Sequence, residues 1–370
     1  MSPNAPARIH LIGLIAGGYS GIPRYAAFLT RSIDRVASEF PMLQITLVTS
    51  ARGAREVSPR NLELIIPRGP MTRANAGPRR LLAEHISATR GHAELLHFFD
   101  LTGPLLAPSQ PFVATAHDAK VAYDFLRPRW AYKRRLYPWA LKRAKAIVAV
   151  SQFAKDEIVQ HFGTDPARIR VIYSGPGLEP SSVDRAEAPK RAYRYFLYLG
   201  ALEANKNLAF LVRAFERSVS SADLLIAGRP GSSFGALQAT IEASPTRDRI
   251  HVLQDVSDLD ADRLYREAIA LVHPSIYEGF GFTPLEAMAR GCPVLTSDIP
   301  AIREVSGTGA MLLPLEDVDE WARGIRRVSE DERFRAELRE RGAATVSRYS
   351  WDEAARSICR LFVEVTTAPE

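Results

Sequence analysis

Short apolar runs alternate along the chain with longer stretches whose apolar residues recur every three or four positions. Residues 9–15, 43–49, 95–99, 112–116 and 146–150 make up the first series of runs. Each has strand length and is predominantly apolar, the pattern of strands covered on both faces. Between them, residues 22–39, 79–89, 130–143 and 151–162 carry helical spacing. A second series opens at Tyr195, with runs at 195–199, 224–227, 250–253, 270–273 and 293–296. Its helices are predicted to begin near Leu208, Asp260, Pro284, Val318 and Asp331. Leu208, Leu211, Val212, Phe215 and Val219 form the stripe of a helix lying on a sheet. This alternation predicts an α/β protein with parallel, doubly wound sheets and helices on both faces.

The two series are separated by Ser174-Gly175-Pro176-Gly177 and by the polar segment 180–190, which lacks apolar periodicity and reads as a linker. The pattern therefore predicts two Rossmann-like domains, residues 1–178 and 179–350, as suits a chain of 370 residues. A last helix within 351–370 is not assigned to either domain by its pattern; packing back on the N-terminal domain is one option. Sheets of this kind bind ligands at the carboxyl ends of their strands. Two of them facing one another would enclose a cleft, so residues just after strands are the candidates for function.

Composition changes this picture little. Hydrophobic residues make up 46% and charged residues 24%, as in an ordinary globular protein. No apolar run approaches the roughly 18 residues of a membrane span, and the N-terminus carries no signal-like pattern, so a cytoplasmic location is expected. Cys292 and Cys359 lie far apart without metal-ligand spacing and read as buried or incidental thiols. The net charge of +6 is partly local: from Asp124 to Lys145 there are eight Lys or Arg and one acid. That segment, 125–145, also holds Trp130, Tyr132, Tyr137 and Trp139. It reads either as a solvated helix face or as a surface for an anionic membrane or lipid-linked acceptor, which would make the protein peripheral on the inner face of the membrane. No nucleic-acid motif accompanies the charge, so nucleic acid is not an expected partner.

The stretch from Tyr277 to Glu286 follows a predicted strand and opens a helix. Thr283, Pro284 and Glu286 fit an N-cap, a first-turn proline and a capping-box glutamate. That reading leaves Glu278 and the glycines Gly279 and Gly281 unexplained. Glycines before a helix let the backbone approach a ligand, and a helix N-terminus suits a diphosphate. Ionised carboxylates beside that anion would accept hydrogen bonds from sugar hydroxyls. After the first strand come Gly17-Gly18-Tyr19-Ser20-Gly21-Ile22-Pro23-Arg24, a glycine-rich turn that is not the dinucleotide-binding fingerprint. His117 and Asp118 follow a strand, as do Lys206 and Arg229. Asp258-Leu259-Asp260 reads as helix-start acids and not as a metal site; no metal or cofactor is expected.

The spacing of Glu278 and Glu286 resembles the E-x7-E motif of family 4 glycosyltransferases. The run from His273 to Gly281, continuing through Glu286-Ala287-Met288-Ala289-Arg290-Gly291-Cys292-Pro293-Val294, is similar to the family pattern throughout. The resemblance covers roughly residues 9–321 and is most specific from 256 to 300. It implies the GT-B fold and retaining, metal-independent transfer of a sugar from a nucleotide diphosphate to a hydroxyl of a glycan or lipid-linked acceptor. GDP-mannose is the donor suggested by the mannosyltransferase-like branch. Under this resemblance Glu278, His117 and Lys206 are catalytic, Glu278 and His117 beside the donor sugar. Glu286 contacts the ribose and Val256 the base. Gly17, Gly18, Arg229, Gly279, Phe280, Gly281 and Phe282 complete the donor site, and Gly21, Arg24 and Asp118 lie toward the acceptor. The sequence departs from the family where further basic residues are usual, at Ala201 and Asn205. Two readings remain open beside transfer: a sugar-nucleotide epimerase on the same plan, and a non-catalytic sugar-nucleotide-binding subunit.

Overall fold

The computed structural model describes residues 5–13, 21–66, 93–103, 110–122, 131–177 and 194–368. The chain divides into two compact units, one made of residues 1–175 with 349–370 and the other of 176–348. The division falls within Ser174–Gly177, three residues before the expected domain boundary at 178, and the last helix belongs to the first unit. The predicted helix at 79–89, the linker 180–190, Gly17, Gly18 and the part of the basic segment before residue 131 lie outside the described residues.

The first unit is a seven-stranded parallel sheet of β1 (Ala7–Ile12), β2 (Leu43–Val48), β3 (Glu63–Ile65), β4 (Leu95–Phe98), β5 (Phe112–Ala116), β6 (Ala146–Ala149) and β7 (Ile169–Val171). Its spatial order is β3-β2-β1-β4-β5-β6-β7. Among the described residues its helices are α1 (Gly21–Val36), α2 (Ala51–Val57), α3 (Ala131–Arg143), α4 (Gln152–Phe162) and, from the far side of the second unit in sequence, a helix at Trp351–Thr367. Ser151 starts α4 by accepting from the Ala154 N–H, and Gly163 ends it in the left-handed conformation at φ 60°.

The second unit repeats the plan with β8 (Tyr195–Leu199), β9 (Asp223–Ala227), β10 (Ile250–Leu253), β11 (Ala270–His273), β12 (Val294–Ser297) and β13 (Met311–Leu313), ordered β10-β9-β8-β11-β12-β13. Its helices are α5 (Leu208–Ser218), α6 (Phe234–Glu242), α7 (Asp258–Glu267), α8 (Phe282–Met288), α9 (Pro300–Ser306), α10 (Val318–Glu330) and α11 (Glu332–Val346), so the helix at Trp351–Thr367 is α12. Successive side chains of a strand point to opposite faces. Phe196, Tyr198, Leu224 and Ile226 accordingly join a core with Leu211 and Phe215 of α5 and Trp321 and Ile325 of α10. Tyr195, Leu197 and Leu225 join the opposite core with Leu264 and Tyr265 of α7 and Ala287 and Met288 of α8.

Val219 does not continue the α5 stripe. It is 77% exposed at φ 52°, because the helix ends at Ser218 and Val219 takes the left-handed capping position. In both units the strand order reverses direction between the first and fourth strands, β1 with β4 and β8 with β11. That is where ligands bind in sheets of this type. Among the described residues, no helix is long and apolar enough to cross a membrane.

Candidate functional site

In the second unit the switch point is built by the loops after β8 and β11. The β8 loop is pressed against the β9 loop. A Cβ added to Gly228 would fall 1.7 Å from the Gly200 carbonyl oxygen, and the Leu202 N–H donates to the Arg229 carbonyl at 2.9 Å. Only glycine fits so close an approach. The loop then makes a turn at Ala204–Lys206 and enters α5 through Asn207, at φ 54°.

Asn205 stands where the family usually has a basic residue, and here it joins the two loops. Its carbonyl accepts from the Ile276 N–H at 2.9 Å, and its side-chain amide donates to the Tyr277 carbonyl at 3.3 Å. Ala201 is exposed, and its carbonyl accepts from the Tyr198 hydroxyl at 2.9 Å.

This stapling brings Lys206 to Glu278. Lys206 Nζ lies 2.5 Å from Glu278 Oε1, with the two side chains only 16% and 18% exposed. Burial by itself would raise the Glu278 carboxyl, but the Lys206 ammonium, then His273 and hydrogen bonds from Lys206 and Ser275, hold it below the ordinary carboxylate range. His273 Nε2 is 3.4 Å from the same oxygen. Its ring is stacked on Tyr198, at 6.1 Å between centroids and 8° between planes. Burial drives the His273 imidazole down to about 4, against a smaller upward pull from Glu278, so it is neutral at pH 7.

Glu286 lies deeper, 3% exposed. The capping-box reading of this glutamate is corrected by the structure. The N-cap of α8 is Gly281, at φ 108°, and no side chain caps the helix. Thr283 is already inside it, and Glu286 turns inward to accept from the Tyr265 hydroxyl at 3.0 Å. A Cβ on Gly177 would stand 2.2 Å from Glu286 Oε1. Phe280 is buried and its ring meets that of Phe282 at 5.0 Å.

After β9 and β10, Arg229 pairs with Asp255 at 3.9 Å, with side chains 51% and 81% exposed. Val256 is half-buried beside a cavity of about 280 Å³ lined also by Asp255, Asp260 and Arg263. Asp258 and Asp260 do start a helix: Ser257 is its N-cap, accepting from the Asp260 N–H at 3.1 Å.

In the first unit, His117 Nε2 is 2.8 Å from the Phe99 carbonyl, and the Tyr25 ring meets the imidazole edge-on at 4.7 Å. Burial lowers the His117 pKa, against weaker pulls from the Phe99 carbonyl, Asp100 and Asp118. Asp118 accepts from the Lys120 N–H at 3.1 Å and so braces its own turn; burial raises its carboxyl. Gly21 opens α1 and Arg24 follows one turn later. The structure thus brings Lys206, Glu278, Glu286 and Gly279–Phe282 onto one sheet end, with Arg229 and Val256 on neighbouring strand ends, and sets His117, Asp118, Gly21 and Arg24 on the other unit. Sequence patterns gave no role to Tyr265 or to the neutral His273, because only burial distinguishes them.

Two parallel sheets of this order, each with its loops at the strand carboxyl ends, define the GT-B class. Solved structures agree on the fold. Sucrose-phosphate synthase from Thermosynechococcus elongatus superposes with a TM-score of 0.78 at 19% identity, over 98% of this chain and 100% of that one. Anabaena HepE in complex with UDP-glucose superposes at 0.73 and 18% identity, over 97% and 99%. The family model described as glycosyl transferases group 1 matches residues 182–345, and that described as glycosyltransferase family 4 matches 29–179. The chain belongs to these glycosyltransferases. It is 32% identical to the O-antigen chain mannosyltransferase RfbU of Salmonella typhimurium over 222 residues, which is 58% of this chain and 60% of that protein.

Proposed function

We propose that the protein transfers a sugar from a nucleotide diphosphate to a hydroxyl of a glycan or lipid-linked acceptor, with retained anomeric configuration and without a metal, and that the donor is GDP-mannose. The observation that carries the reading is the largely buried pair of Lys206 and Glu278 at the switch point of the second sheet. In the proposed reaction the bond from the sugar C1 to the diphosphate breaks and a bond from C1 to the acceptor oxygen forms. The acceptor proton leaves with the diphosphate. Negative charge grows on the departing diphosphate, and a fixed ammonium stabilises that change more than it stabilises the ground state. Lys206 supplies it. Glu278, ionised and near, accepts from sugar hydroxyls, and Glu286 from the ribose. The mannose assignment is supported by the relative named above; the retained configuration is supported by the family motif.

A panel of GDP-mannose, UDP-glucose and UDP-galactose tests the donor by thermal shift, since a ligand bound by the native state alone raises apparent stability. GDP-mannose is expected to raise Tm most and to release GDP only when an acceptor glycan is added. A larger shift with a UDP-sugar would overturn the donor. Conversion of the sugar with no acceptor present would replace transfer by epimerisation.

A further inference from the structure

Glu286 is held on more than one side. Its Oε2 accepts from the Tyr265 hydroxyl at 3.0 Å, and Tyr265 is fully buried. On the Oε1 side the backbone of residue 177 closes in so far that a single added carbon would lie 2.2 Å away. Behind the carboxylate, Arg290 donates to the Glu286 carbonyl at 3.2 Å and to Asp262 at 2.8 Å, with its guanidinium 6.0 Å over the Tyr265 ring. Asp262 also accepts from Arg266 at 2.7 Å. Both Asp262 and Tyr265 come from α7, and Glu286 and Arg290 from α8 and the turn after it. A side chain with three rotatable bonds is thereby confined to one orientation by groups that are themselves confined.

We infer that Tyr265 is a positioning residue whose hydroxyl orients the Glu286 carboxylate toward the ribose diol, and so sets the protein's preference for ribonucleotides over deoxyribonucleotides. The inference rests on the reading of Glu286 as the ribose contact. A carboxylate recognises two adjacent hydroxyls only when its plane faces them, because both hydrogen bonds must be short and near-linear together. Tyr265 fixes that plane through one oxygen without touching the nucleotide.

The test compares equilibrium binding of GDP with that of 2′,3′-dideoxy-GDP, in the wild-type protein and in Tyr265→Phe, with UDP and its dideoxy form run in parallel. Tyr265→Phe removes one oxygen and keeps the ring packing. Wild type is expected to bind the ribonucleotide at least about ten-fold more tightly than its dideoxy form, the scale of one charged hydrogen bond. In Tyr265→Phe the ratio is expected to fall to within about three-fold, chiefly through weaker binding of the ribonucleotide. A structural role alone would lower Tm and leave the ratio unchanged, and that result overturns the positioning role. A wild-type ratio near one would overturn the ribose contact of Glu286 itself and the inference with it. The two failures are told apart by the wild-type arm, and neither needs turnover.

Discussion

Lys206 already has a partner in the structure, and that has kinetic consequences. A diphosphate entering the site must compete with Glu278 for the ammonium, and the competition frees the carboxylate for the sugar. Removing Lys206 takes away the charge that offsets burial of Glu278. We expect Lys206→Ala to lower kcat/KM by at least about ten-fold, since losing a charged hydrogen bond costs roughly 1.5–3 kcal/mol. The pH profile carries a second signature. In the wild type the Glu278 carboxyl lies below its ordinary range, so its ionised form persists as pH falls and is lost only through that lowered value. In Lys206→Ala burial is left to act with less opposition, and the acid limb of kcat/KM should move to higher pH. Turnover within three-fold of wild type together with an unmoved acid limb would mean that the leaving group is stabilised elsewhere, with Arg229 next to test. Much of this site was legible residue by residue, because Glu278, Glu286 and the glycines between them lie within nine consecutive positions. Tyr265 was not, since it meets Glu286 from 21 residues away and no local pattern encodes that meeting. The capping-box signature misled for a related reason: the same residue types start a helix from outside or point into a core, and only packing decides.

Among the helices, α3 concentrates unassigned charge. Arg135, Lys142 and Arg143 are exposed, Arg143 lies 5.2 Å over the Trp139 ring, and Pro138 interrupts the helix interior. If this face meets an anionic membrane, each basic residue contributes about 1 kcal/mol and the attraction is screened within a Debye length. Changing all three to Gln should weaken binding to phosphatidylglycerol vesicles by about 100-fold at low salt, in a sedimentation assay, and leave binding to phosphatidylcholine vesicles unchanged. Equal binding of wild type and variant to both vesicles would assign α3 to the solvent. At this scale the central strands were readable because strands covered on both faces carry unbroken apolar runs. β3, β7 and β13 were not: each has three residues at the edge of a sheet, too few to form a run. The short helices α2, α6 and α9, of seven to nine residues, lack the three full turns over which helical spacing stands out.

Across the molecule, the first unit is discontinuous in sequence. α12 lies along α1: the Phe28 and Trp351 rings stack at 5.6 Å, Arg35 meets Asp352 at 2.6 Å and Arg356 meets Glu39 at 2.8 Å. Gly175, the last residue before the chain leaves this unit, fits because it has no side chain; an added Cβ would stand 2.4 Å from the Trp351 ring. Phe362 also packs edge-on against His97, at 5.4 Å. The face of α1 that these residues cover precedes the second unit in the chain, yet its cover is translated only after the whole of that unit. On the ribosome, the unit encoded in the middle is therefore complete while the one begun first still waits for its final helix. Nascent chains arrested with residues 176–348 outside the exit tunnel and 349–370 inside should yield a protease-resistant fragment from the middle of the chain alone. Resistance of residues 1–175 should arise only once 349–370 has emerged. Should the arrested chains already protect 1–175, α12 would be a late addition to a finished unit. Otherwise that face of α1 stays uncovered for as long as residues 176–348 take to be made.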